Sequence, residues 1–137
     1  MIKLNLEIIT PSKIAFKSEV KSVTLPGVKG AFQVLKDHAM LISLLDIGII
    51  KIVTLENNEL YFACGGGSAE VLDNKLLVLV ESIESQDEID AERAKIACAR
   101  ARERLKAALN NKDVDFDRAN VALTRALNRL KLITNKF

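Results

Sequence analysis

Hydrophobic and polar positions follow two different periods along this chain. Up to about residue 84 the period is two. Ile2, Leu4, Leu6 and Ile8 alternate with Lys3, Asn5 and Glu7, the pattern of a strand buried on one face. Further short strands are predicted at 14–17, 20–25, 31–35, 41–45, 49–55, 59–64, 68–72 and 76–81. Turn signals separate them at Pro26-Gly27, Lys36-Asp37, Asp46-Ile47-Gly48, Asn57-Asn58 and Asp73-Asn74. A run of about nine to ten short strands, with turns roughly every 8–12 residues, points to a β-sandwich or barrel.

The period changes at Ser85-Gln86-Asp87. Residues 88–109 contain no Gly or Pro and are rich in Ala, Arg, Lys, Glu and Leu, all good helix formers. Ala94, Ala97, Cys98, Ala101, Leu105, Ala108 and Leu109 recur three and four apart, one face of a helix that Ser85 or Asp87 is placed to cap. Asn110-Asn111-Lys112 interrupts it. A second helix follows, capped by Asp113 or Asp115, with Ala119, Ala122, Leu123, Ala126, Leu127, Leu130 and Ile133 on its apolar face. The connection is short, so an antiparallel α-helical hairpin is expected. The predicted domains are a β-sandwich over 1–86 and a two-helix hairpin over 87–137. An Ala-rich seam removes little apolar area per residue, and burial contributes only about 25 cal/mol per Å². Such a hairpin is weakly held and suited to a movable arm.

Charge sharpens this division. The whole chain carries a net charge of +2, but residues 1–87 hold 8 basic against 11 acidic side chains, and residues 88–137 hold 12 against 7. From Arg118 to the C-terminus there are five basic residues and no acid. Such a segment calls for an anionic partner. Cys64 and Cys98 have no metal-ligand spacing and read as buried thiols in a reducing compartment. The N-terminal residues alternate rather than forming the apolar stretch of a signal peptide. The run Ile47–Ile50 is far shorter than the ~20 residues that cross a bilayer, so any membrane association is expected to be indirect.

Catalytic chemistry finds little support. His38 is the only histidine, beside Asp37 in a turn. Gly65-Gly66-Gly67 lies between two predicted strands with no Gly-Lys-Ser/Thr after it, which reads as a tight turn or bulge rather than a phosphate cradle. No nucleophile elbow, Cys/His pair or metal cluster is present, so no catalytic residue and no metal ligand is assigned. The arginines are more informative. Arg93 and Arg100 share a face of the first helix, and Arg125 and Arg129 a face of the second. An antiparallel hairpin would bring these four near Asp90, where guanidinium forks suit phosphate. A solvated basic face, with surface pairs such as Arg100–Glu103, explains the same pattern. A nucleic-acid-binding module, a basic helical hairpin on a β scaffold, is the alternative function. It is disfavoured because little beyond Phe116 and Phe137 in the basic half is able to stack on bases.

Several stretches resemble the epsilon subunits of F-type ATP synthases. They are Leu25-Pro26-Gly27-Val28-Lys29-Gly30-Ala31-Phe32-Gln33-Val34-Leu35-Lys36-Asp37-His38-Ala39-Met40-Leu41, the turn Gly66-Gly67-Ser68-Ala69-Glu70-Val71, and the hairpin segment Arg125-Ala126-Leu127-Asn128-Arg129-Leu130. The chain departs from the family pattern at Lys36-Asp37, where Pro-Gly is common, at Met40, where Pro is common, and at Ala31, where an acid is frequent. The resemblance implies a non-catalytic rotor subunit, monomeric when isolated and peripheral on the cytoplasmic face of a bacterial inner membrane. Its sandwich would dock on the gamma subunit and the c-subunit ring, with Lys29, Gly30, Ala31 and His38 at the stalk or c-ring interface. Its hairpin would extend toward the alpha and beta subunits of the catalytic head. There Arg118, Arg125, Arg129 and Lys131 would meet acidic surface and hinder ATP hydrolysis. No cofactor is implied, but ATP is, as a regulatory ligand. Ile89-Asp90-Ala91-Glu92-Arg93-Ala94 is similar to the ATP-binding motif of some bacterial members, and Glu84, Arg100, Arg125 and Arg129 match its accompanying positions.

Overall fold

The computed structural model describes residues 3–135, so Ile2 of the first predicted strand, and Lys136 and Phe137 of the basic tail, lie outside the described residues. The chain divides between Ser85 and Gln86 into two compact units, a β unit followed by a helical one.

The β unit contains seven strands: β1 (Leu4–Ile9), β2 (Ile14–Gly27), β3 (Gly30–Leu35), β4 (Leu41–Thr54), β5 (Glu59–Leu72), β6 (Lys75–Val80) and β7 (Ile83–Ser85). They are hydrogen-bonded in the order β1-β6-β5-β4-β2-β3, with β7 on β5. A further β1–β2 pairing closes the sheet on itself. Most pairs are antiparallel, and β1 with β6 is parallel.

Three pairs of short predicted strands are continuous here. The pairs 14–17 and 20–25, 41–45 and 49–55, and 59–64 and 68–72 form β2, β4 and β5, each 14 residues long. Each long strand changes phase partway, which is why its halves read as separate elements. In β4 the core residues are Leu45 and then Ile50 and Ile52, so the inward side switches from odd to even positions across Asp46-Ile47-Gly48. In β2 a register shift between Val20 and Ser22 brings both Val20 and Val23 inward. Strands that bend in this way carry one ladder from one face of a sandwich to the other.

Gly65-Gly66-Gly67 is neither a tight turn nor an inserted bulge. It lies within β5, whose register against β4 holds from Leu41↔Val71 to Val53↔Glu59. Glycine is required at two of these positions. Gly66 has φ 91°, a conformation that L side chains resist, and a Cβ on Gly67 would collide with the Leu79 carbonyl oxygen. The same bend separates β6 from β7, which pair with the two halves of β5. The core between the faces is aliphatic: Leu4, Leu6, Ile8, Leu25, Val34, Val71, Leu76 and Val78 are fully buried or nearly so.

The helical unit begins with a 3₁₀ turn, Gln86–Glu88, and then α1 (Ala91–Asn110) and α2 (Phe116–Ile133), packed as a hairpin. Helix α1 starts three residues later than the propensity pattern predicts, and its N-cap is Asp90 rather than Ser85 or Asp87. Helix α2 is capped by Asp115, not Asp113. In both, the cap carboxylate accepts the backbone N–H three residues on, at 3.1 Å. Ala94, Cys98, Ala101, Ala119 and Ala126 are buried, so small side chains do form the seam. Leu132, not Ile133, is fully buried at the end of α2, while Leu109 and Leu127, expected on the apolar faces, are exposed. Near the end of α2, the Gln86 side-chain amide donates to the Leu132 carbonyl at 2.8 Å.

Candidate functional site

The outer face of the β unit carries an unusual surface. Because the phase of β4 switches at its bend, the even positions of its first half point outward, and they are apolar. Met40, just before β4, is 75% exposed, as is Ile42, and Leu44 is 68% exposed. Ladder register extends the patch sideways. Leu44 lies opposite Ser68 on β5, which lies opposite Leu79 on β6, which pairs with Ile9 on β1. Leu72 and Leu79 are both nearly half exposed. A shallow groove is lined by Ile9, Pro11, Leu44, Gly67 and Leu79 together with the polar Thr10, Ser68 and Glu81. Scattered exposed aliphatics are ordinary, but here five gather on one face, with Ser68 opposite Leu44 and exposed Glu70 opposite Ile42 among them.

The residues expected at a stalk interface border this row. The Val28 N–H donates to the Leu44 carbonyl at 3.0 Å, which ties the β2–β3 turn to β4. Exposed Lys29, Gly30 and Ala31 follow immediately. His38 is half-buried in the β3–β4 turn, two residues before Met40. Its Nδ1 lies 2.7 Å from the Ala39 carbonyl oxygen. Sequence reasoning named these four but missed Met40, Ile42, Leu44, Leu72 and Leu79. Strict alternation along 41–45 already put Ile42 and Leu44 opposite Leu41 and Leu45, and that was the available signal.

The candidate nucleotide residues divide by role. Asp90 caps α1 and accepts the N–H of Arg93, and Ala94 is buried in the seam. Ile89 is half-buried, its N–H donating to the Gln86 carbonyl at 3.3 Å. Arg93, Arg100 and Arg125 are exposed on the helices, and Arg129 is half-buried. Glu84 belongs to the β unit, where it pairs with Ala63. Asp90 and Arg93 are thus joined by a capping bond at the start of α1. Arg118 and Lys131 of the basic face are exposed. Arg118 also lines an open hollow with Arg104, Asp113 and Asp115 where α2 begins.

Two other polar sites have defined electrostatics. The Tyr61 hydroxyl donates to Glu59 at 2.8 Å and Lys51 lies 3.3 Å from the same carboxylate. The hydrogen bond from Tyr61 and then the lysine hold Glu59 below the usual carboxylate range, and the tyrosine is raised by the same bond. Cys64 is buried, and burial pushes its thiol up. Among the described residues no group of three His, Cys, Asp or Glu side chains is placed to hold a metal ion. No described helix is long and apolar enough to cross a membrane.

The chain is thus a closed β unit with exposed aliphatics on its outer face, followed by a basic helical hairpin. Residues 3–86 match the model of the ATP synthase delta/epsilon chain β-sandwich domain. Residues 87–134 match that of the delta/epsilon chain long α-helix domain. An ATP synthase epsilon chain from Carboxydothermus hydrogenoformans is 46% identical over 75% of this chain and 76% of its own length. The one from Salinibacter ruber is 38% identical over 76% and 75%. The chain belongs to the ATP synthase delta/epsilon chain family, as a non-catalytic subunit of the epsilon type. The fold recurs in the OSCP/F1/c-ring structure of the Euglena gracilis mitochondrial ATP synthase. The match there has a TM-score of 0.82 at 20% identity, covering 92% of this chain and 78% of that one. It recurs as well in the central stalk/c-ring structure of the Tetrahymena thermophila enzyme, with a TM-score of 0.59 at 16% identity over 96% and 94%.

Proposed function

We propose that the β unit docks this subunit in the central stalk, on the gamma subunit and the c-subunit ring, and that the hairpin restrains ATP hydrolysis with ATP as its effector. The observation that carries the docking reading is the apolar row Met40, Ile42, Leu44, Leu72 and Leu79. An isolated surface gains nothing from such a row, whereas burying it against a partner is favourable at about 25 cal/mol per Å². The polar rim at Lys29, Gly30 and His38 suits the edge of such an interface. The hairpin reading rests on the small-residue seam and the exposed basic side chains Arg118, Arg125 and Lys131. Helices joined by alanines separate at less cost than helices joined by leucines, so a competing acidic surface is able to win. ATP would oppose that opening only by binding the closed form better.

The test is assembly. Full-length chain and Ile42→Glu are each mixed with a gamma-containing F1 complex lacking this subunit, and retention is measured. Ile42 is exposed in the free chain, so the variant should fold, with a melting temperature lowered only by the like-charge pair it makes with Glu70 across the ladder, about 1 kcal/mol or less. A carboxylate driven into an apolar interface should weaken retention on the order of a hundredfold. Equal retention of both proteins would sink the docking reading.

A further inference from the structure

Asn74 stands at the centre of a hydrogen-bonded clasp at one end of the β unit. Asp73 and Asn74 connect β5 to β6 with φ of 49° and 61°, as a two-residue type I′ hairpin requires. From there the side-chain amide reaches two neighbouring segments. Its Oδ1 accepts the backbone N–H of Asp37 at 2.9 Å, and its Nδ2 donates to the Lys3 carbonyl at 2.9 Å. Its backbone carbonyl accepts the Asn5 N–H at 3.2 Å. One residue thus joins the entry to β1, the β5–β6 hairpin and the turn between β3 and β4.

That last turn is the one the Asn74 oxygen reaches. The Leu35 carbonyl accepts the His38 N–H at 3.2 Å, which makes Lys36 and Asp37 the central residues. Asp37 has φ 58°, a left-handed conformation that aspartate adopts more readily than most residues but less readily than glycine. The Asn74 oxygen holds the Asp37 N–H in this orientation. His38 and Met40, the rim and head of the apolar row, follow directly along the chain.

We propose that Asn74 is a positioning residue for partner docking, its amide fixing the Asp37–His38 turn in the arrangement that the stalk partner binds. The proposal rests on the docking reading above. The chemistry is specific to an amide, which offers an acceptor to one backbone N–H and a donor to one backbone carbonyl. Aspartate keeps the acceptor and sets an anionic oxygen against the Lys3 carbonyl. Glycine keeps the left-handed backbone at no strain and removes both bonds.

Hydrogen exchange and dissociation kinetics on full-length chain separate the possibilities. In Asn74→Gly the Asp37 amide should lose protection by roughly three- to tenfold, as expected for one lost hydrogen bond, while the Leu76 and Val78 amides keep theirs. Dissociation from the gamma-containing complex should quicken by a similar factor. Adding Asp37→Gly should restore the slow rate in part, because glycine adopts the left-handed conformation of this turn at less cost than aspartate does. Unchanged Asp37 protection in Asn74→Gly overturns the clasp. Lost protection with an unchanged dissociation rate overturns the positioning role, provided that Ile42→Glu weakens the same complex. If Ile42→Glu has no effect either, the docking reading fails and with it the role assigned here, while the exchange data still judge the clasp itself.

Discussion

The Asp90 carboxylate accepts the backbone N–H of Arg93 at 3.1 Å, so two members of the candidate nucleotide set are joined through the start of α1 itself. The bond satisfies one of the N–H groups that a helix leaves unpaired at its first turn. It also fixes the turn from which the Arg93 guanidinium projects. Loss of a ligand on replacing Asp90 therefore has two sources, and the choice of substitution tells them apart.

Asp90→Ala should lower the stability of the hairpin by about 1 kcal/mol, the usual cost of a lost cap, whereas Asp90→Ser should keep most of it. Thermal melts followed by helical circular dichroism measure this. Calorimetry with ATP should then show Asp90→Ser retaining binding and Asp90→Ala losing it. A serine variant that is stable and yet silent toward ATP would show instead that the carboxylate itself meets the ligand.

Arg93→Ala should weaken ATP binding about tenfold or more, since a hydrogen bond to a charged group contributes about 1.5–3 kcal/mol. Arg93 is exposed, so the variant should melt as wild type does. Arg102→Ala, exposed on the same helix but outside the set, is the control and should change the affinity little. Wild type should also melt higher with ATP, because a ligand of the folded form stabilises it by mass action. No binding heat and no shift in melting at millimolar ATP would leave the arginines as a solvated or partner-facing surface.

Replacing Arg118, Arg125, Arg129 and Lys131 together by Ala should raise ATP hydrolysis by the assembled complex. Single exposed charges contribute under about 1 kcal/mol, so the four are changed at once. Arg129 is half-buried and has an interaction of its own, and helical circular dichroism must first confirm an intact hairpin. Hydrolysis at the wild-type rate, with the subunit retained, would count against an inhibitory basic face.

Stability should fall as pH rises above the ordinary thiol range, in part through Cys64. Burial raises its folded pKa, so the folded chain keeps the proton where the unfolded chain, with a pKa near 8.5, has begun to lose it. The contribution is therefore full below that pH and is lost as pH climbs toward the folded value. Denaturant melts of wild type and Cys64→Ala between pH 7 and 10 should show a shallower alkaline decline in the variant. Parallel curves would remove Cys64 as a cause.

Local pattern determined a good deal of this protein. Alternation in Leu4, Leu6 and Ile8, and three-four spacing in Ala94, Cys98 and Ala101, placed these residues in the core and the seam where they are buried. Short-range sterics and burial set these periods, and both act on neighbouring residues. The resemblance of 25–41 and 66–71 to a known family was also legible, because such motifs are strings of adjacent residues. Tertiary structure decided the rest. Asp46-Ile47-Gly48 reads as a turn, yet it continues β4, because β5 supplies ladder partners on both sides of it. The apolar row is a property of register, since Leu44 and Leu79 meet only through Ser68 between them. Asn74 reads as a turn residue, but its amide acts on Asp37 and Lys3, 37 and 71 positions away. Contacts made across strands depend on how the closed sheet brings distant segments together, and no local period records that.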